Sequence, residues 1–215
     1  MYRSCRDTRD RALRQSVLDK NGRITLRAKN GALPDLTTTG LDYSPNLSGD
    51  KTLVVFGRKA GPAPDAATSP YRPEFKSQLW ISSTSKASRP SLLLDSPITK
   101  GEKRYYMFSE PRFSPDNRAV YFVTEYSATA GALWRVNLSS TEAELIKPNV
   151  IEFGVILDGA LKGDIIASKR AYKTAKDGLE YPWYPFFLLD PNGREIRQGG
   201  DAHLASLVRR YSSVK

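Results

Sequence analysis

Side chains able to do covalent or acid–base chemistry are scarce in this chain. His203 is the only histidine and Cys5 the only cysteine. A Ser-His-Asp triad would have to use His203, and no Gly-x-Ser-x-Gly turn is present to present a nucleophilic serine. Zinc needs several His or Cys ligands, which one of each cannot supply. Gly154, Gly159 and Gly163 lack the spacing of a phosphate-binding loop. Asp50, Asp116 and Asp158 lie in turn-forming segments, where aspartate caps the local backbone more often than it holds calcium. Glu110, Glu125 and Asp116 follow no spacing that would make a glycosidase carboxylate pair. The expectation is a chain without catalytic residues, metal or cofactor. What remains is recognition chemistry, carried by Tyr71, Arg72, Tyr105, Tyr106, Tyr126, Tyr172, Lys173, Tyr181 and Trp183. Tyr, Trp and Arg are the types enriched at binding hot spots. The same aromatics can equally pack loops against the body of a fold.

The elements that must position them are strands. Ser109 to Lys147 reads as four short strands joined by tight turns. Ser114-Pro115-Asp116-Asn117 favours reversal, Ala119 to Thr124 is β-branched and aromatic, Ala132 to Leu138 alternates, and Ala143 to Lys147 is a last strand. Four strands in about 40 residues is the sequence form of a propeller blade. Trp134 and Trp80 lie in repeated Leu-Trp strands and are expected in the core; Trp183 stands outside that pattern.

Pro111, Phe113, Ser114, Pro115, Asp116, Asn117 and Arg118, followed by Leu133, Trp134 and Val136, resemble the repeat of TolB-like β-propellers. Tyr43 to Lys51 is a degraded copy, with Pro45, Leu47 and Ser48 in the places of Pro111, Phe113 and Ser114, and Lys51 in that of Arg118 after one fewer residue. Leu36 to Gly40 is similar to the end of a blade's outer strand in that family. The resemblance implies an all-β, propeller-like domain. It would hold a basic N-terminal segment and partial blade (1–40), blades at 41–95, 109–147 and 150–198, and a C-terminal helix and tail (199–215). The last blade lacks the Ser-Pro-Asp signature and rests on strand order. Asp7 to Leu18 and His203 to Tyr211 read as short helices.

Antiparallel order puts four long connections on one face: Arg58 to Ser77, Ser96 to Phe108, Glu125 to Gly131 and Ala171 to Trp183. Tyr71, Tyr105, Tyr106, Tyr126, Tyr172, Tyr181 and Trp183 all belong to them. Long irregular loops carry function or are disordered, so this face is the expected partner site. About three and a half blades leave two open edges, which two chains could close as a homodimer.

Composition sets outer bounds. The chain has 215 residues, 40% hydrophobic and 26% charged, which suits a globular domain. No apolar run reaches the roughly 18 residues of a membrane helix. Met1 to Lys20 lacks the apolar core of a signal peptide, which by itself reads as cytoplasmic. The net charge of +10 is concentrated in the first thirty residues, but aromatics are not interleaved there as single-strand binding would want, so nucleic acid is not an expected partner. The family resemblance implies instead the bacterial envelope, usually the periplasm, and a non-catalytic protein–protein interaction module or scaffold. The alternative is the propeller part of a hydrolase such as a prolyl oligopeptidase-like enzyme, whose propellers have similar repeats.

Overall fold

The computed structural model describes residues 13–18, 23–28, 31–37, 39–62, 75–85, 89–101, 103–127, 130–199 and 206. Its elements are strands throughout, with helical conformation only at Ser206 among the described residues. The architecture is all-β and propeller-like.

The first blade holds β1 (Leu13–Leu18), β2 (Ile24–Ala28) and β3 (Gly31–Asp35), paired in that order. Here the sequence-based helix over Asp7 to Leu18 is corrected for Leu13 to Leu18; its first part, 7–12, lies outside the described residues. Leu18 pairs with Ile24 and Leu13 with Ala28 across an antiparallel hairpin. A partner strand with matching alternation overrides a thin helical stripe, because propensity is a weak prior against tertiary pairing. The C-terminal helix over His203 to Tyr211 lies outside the described residues except at Ser206.

The second blade is a meander of β4 (Asp42–Leu47), β5 (Leu53–Pro62), β6 (Phe75–Ser83) and β7 (Ser91–Asp95). A hairpin follows, formed by β8 (Ile98–Lys100) and β9 (Lys103–Tyr105). The third blade is β10 (Met107–Phe113), β11 (Ala119–Ser127), β12 (Ala130–Asn137) and the first half of β13 (Ala143–Val155). The second half of β13 is the inner strand of the fourth blade. That blade adds β14 (Ile165–Lys169), carries a separate hairpin of β15 (Ala171–Thr174) and β16 (Glu180–Trp183), and ends with β17 (Phe186–Leu189) and β18 (Glu195–Gly199). Thus β13 fuses two blades into one seven-stranded sheet. It turns the corner at Asn149, whose φ is 62°. Val150 pairs with Gly131 on one side and Lys169 on the other. A Cβ at Gly131 would press on the Val150 and Thr124 carbonyl oxygens, so the corner requires glycine there.

Alternation along the strands sends successive residues to opposite seams. One set, with Phe122, Trp134 and Val136, meets Val55, Leu79 and Leu93 of the second blade. The other, with Val123 and Leu133, meets Phe153, Ile165 and Leu189 of the fourth. Trp134 is buried, and its indole N–H donates to Thr124 Oγ1 at 3.0 Å. Trp80 is only half-buried: it packs against the Ile24, Val54 and Phe56 cluster, with the Arg58 guanidinium 4.5 Å from its ring.

The Ser-x-Asp turn occurs twice. Ser48 and Asp50 share a hydrogen bond of 2.6 Å, Asp50 accepts from the Thr52 N–H, and Ser48 Oγ accepts from the Leu53 N–H. Ser114 and Asp116 are bonded identically at 2.6 Å, with Arg118 and Ala119 as the donors. The left-handed residue is Lys51 in one turn and Asn117 in the other, at φ 61° and 57°. So Lys51 stands in the place of Asn117, not of Arg118, and the copies align without a gap. Ahead of each turn the inner strand bulges at a left-handed residue before proline, Ser44 or Glu110.

Candidate functional site

Strand direction brings the described ends of four connections to one end of the blades: Pro62 and Phe75, Asp95 and Met107, Ser127 and Ala130, and Lys169 and Phe186. Two of them are less irregular than expected. β11 and β12 keep pairing up to Ser127 and Ala130, so Glu125 to Gly131 is mostly strand. β5 and β6 likewise pair from Lys59 with Ser77 out to Pro62 with Phe75, which shortens the Arg58 to Ser77 connection. Both strands extend because each finds ladder partners for its backbone groups.

The β15–β16 hairpin is the most distinctive feature of this end. Ala171 pairs with Trp183, Tyr172 with Pro182, Lys173 with Tyr181 and Thr174 with Glu180. Its turn is closed by the Ala175 N–H on the Leu179 carbonyl and the Gly178 N–H on the Ala175 carbonyl, with Gly178 at φ 82°. Asp177 accepts from the Leu179 N–H at 3.0 Å and from the Tyr181 hydroxyl at 3.3 Å. Tyr172 is 55% exposed, Tyr181 48%, Leu179 60% and the following Tyr184 51%. Trp183 is half-buried, with the Lys173 ammonium 3.6 Å from its ring centroid. Arg170 stands 5.1 Å over the Tyr172 ring. These cation–aromatic pairs brace the rings on a hairpin that, among the described residues, pairs with no other sheet.

The other sequence-selected residues are placed differently. Tyr105 is 4% exposed and meets Trp134 edge-on at 5.0 Å, so it belongs to the core. The β8–β9 hairpin folds back onto the third blade, and that return buries the ring. Tyr106 is half-buried and its carbonyl accepts from Ser77 Oγ at 2.8 Å, joining the second blade to the start of β10. Tyr71 and Arg72 lie outside the described residues, as does the Tyr126 side chain. Tyr184, adjacent to Trp183, was missed by the sequence reading, although a third ring beside Tyr181 and Trp183 was the available signal.

Two polar arrangements support this end from beneath. Asp42, buried, forms a bidentate pair with Arg58, at 2.5 Å to Nε and 3.2 Å to Nη2. The Tyr43 hydroxyl donates to the Phe108 carbonyl at 2.8 Å, and burial pushes its pKa up to about 12. Deeper on β10, burial pushes the Glu110 carboxyl up; the Arg112 charge opposes that shift and Glu152 adds to it. Among the described residues no cluster of His, Cys, Asp or Glu has the form of a metal site.

No family model and no curated protein sequence matches the chain. Solved structures do. Pyrococcus horikoshii acylaminoacyl peptidase overlaps with a TM-score of 0.52 at 13% identity, over 74% of this chain and 25% of that one. AtxE2 isopeptidase overlaps at 0.51 and 14%, over 77% and 30%. The β-propeller domain of the Trilobed protease from Pyrococcus furiosus overlaps more loosely, at 0.46 and 15%, over 74% and 42%. The chain therefore spans about a quarter to a third of the length of the two peptidases. At such identities the likeness concerns the fold alone.

Proposed function

We propose that this chain is a non-catalytic protein–protein interaction module of the TolB-like propeller type, acting in the bacterial envelope. It binds its partner through the long-connection end. The observation that carries this reading is the β15–β16 hairpin, which holds Tyr172, Tyr181 and Tyr184 exposed and Trp183 partly so. Rings of this kind bring large contact area with little side-chain entropy to lose. The envelope assignment rests on the repeat around Ser114-Pro115-Asp116. The test is affinity capture with tagged protein and with a Tyr172→Ala/Tyr181→Ala/Trp183→Ala variant. The variant keeps its melting temperature and loses the captured band; unchanged capture would sink the proposed site.

A second reading is supported by the names of the overlapping structures, a peptidase and an isopeptidase. In it the chain is the propeller part of such a hydrolase and screens access to a separate catalytic unit. Both readings expect no turnover of peptide anilides by the isolated chain. Measurable turnover, abolished by one serine substitution, would make the chain an enzyme and overturn both.

A further inference from the structure

The opposite end of the blades carries a cleft that the proposed partner site does not use. Its volume is about 1070 Å³, and it lies where the Ser114–Ala119 turn, the 137–144 turn, Lys162–Gly163 and Pro191 come together. The β8–β9 hairpin brings Lys100 to the same cleft. Its floor is tied internally. Arg135 donates to the Pro191 carbonyl and to Asn192 Oδ1, both at 3.1 Å, and to Glu144 at 2.7 Å. The Tyr121 hydroxyl donates to the same Pro191 carbonyl at 3.2 Å. Asp116 is occupied by the Ser114 hydroxyl and the Arg118 N–H.

The acids of the cleft are thus largely committed, whereas its outer cations are tied in no ion pair, although the Arg118 charge acts on Asp116. Lys100, Arg118 and Lys162 are exposed, and among the described residues none forms an ion pair. Glu142 is the one lining carboxylate without a hydrogen-bonded partner there. Asn137 Oδ1 and Ser140 Oγ already accept from Ser139 and from the Glu142 N–H, which leaves the Asn137 amide N–H groups and the Ser140 O–H to donate to a peptide backbone. The volume lies just above the about 300–1,000 Å³ of small-molecule pockets. Among the described residues Tyr121 is the one aromatic lining it, and it is buried and already bonded, so they offer no platform for stacking a nucleobase.

We infer that this cleft binds an acidic peptide segment, its carboxylates met by Lys100, Arg118 and Lys162. The site is independent of the aromatic hairpin, and either can fail without the other. The test uses fluorescence anisotropy with a short labelled peptide of alternating Glu and Ser, a matched Gln and Ser peptide, and an oligothymidylate. Binding of the Glu peptide weakens with salt, as screening demands, and falls by about tenfold or more in Lys100→Glu/Arg118→Glu/Lys162→Glu. A control of equal charge change away from the cleft, Lys59→Glu/Arg89→Glu/Arg197→Glu, shifts it by less than about twofold. If the reversal variant unfolds, Lys100→Gln/Arg118→Gln/Lys162→Gln serves in its place. Equal losses in both variants, equal binding of the neutral peptide, or no binding at low salt would overturn the proposal. Tighter oligothymidylate binding, lost in the same cleft variant, would overturn the peptide assignment.

Discussion

The two ends of the blades are built on different plans. The short-turn end is made twice from one device: Ser48 with Asp50 and Ser114 with Asp116 make the same three bonds at nearly the same lengths. The long-connection end repeats nothing. The second blade extends β5 and β6, the third closes β11 onto β12 at once, and the fourth raises a separate hairpin. Repetition marks the folding device that the second and third blades share. Departure from it marks where this chain has something of its own. Two of the three tryptophans follow the same division, with Trp134 sealed in the core and Trp183 on the hairpin.

The largest effect tests that division. Trp134→Ala removes a buried indole with its bond to Thr124 and the edge of Tyr105, and costs about 3–5 kcal/mol in denaturant unfolding. A loss below about 1 kcal/mol would mean the seam between the second and third blades contributes little to stability. Next, Asp42→Ala leaves Arg58 partly buried without its counter-charge, at a cost of about 3 kcal/mol. That value would show that the long-connection end also depends on one structural pair beneath its aromatics.

A smaller effect belongs to the turns. Asp50→Ala and Asp116→Ala each cost about 1 kcal/mol, and the double variant departs from additivity, because the Gly49 N–H of one turn donates to Asn117 Oδ1 of the other at 3.1 Å. Hydrogen bonding from Ser48 and Ser114 holds both carboxyls below the usual carboxylate range. Their folded values lie below their unfolded ones, so their contribution is complete above the unfolded value and disappears as pH falls through the folded one. The Asp50→Asn/Asp116→Asn protein should therefore lose less stability on acidification than the parent; equal acid slopes would remove the turns from the account. Smallest of all, Tyr172→Ser with Tyr181→Ser changes stability by less than about 0.5 kcal/mol, as exposed substitutions do. A cooperative loss well beyond that would mean the hairpin is packed rather than presented.

How much was legible follows from the same contrast. Strand order, the Asp116 turn and the burial of Trp134 were readable because each is local or periodic. The second turn was also visible, but Gly49 in the place of Pro115 disguised its register, and only the shared left-handed position of Lys51 and Asn117 settles it. β1 was misread because a six-residue strand with a thin apolar stripe looks helical until its partner is known. Tyr105 was misplaced because nothing in a loop composition says that β8 and β9 fold back onto the third blade. The β15–β16 hairpin could have been found: Asp177-Gly178 between two short β-prone runs is a hairpin signal. The cleft could not, since Lys100, Arg118 and Lys162 meet only through the packing of two blades and a hairpin.

The most direct test of the central claim, that the aromatic hairpin is the recognition element, is site-specific photo-cross-linking in cells. A benzophenone side chain is placed at Tyr181 and, as a reference, at Leu92, which is also exposed but lies on the outer strand of the second blade. The account predicts one discrete protein adduct from Tyr181 and none from Leu92. No adduct from Tyr181, or the same adducts from both positions, would contradict it.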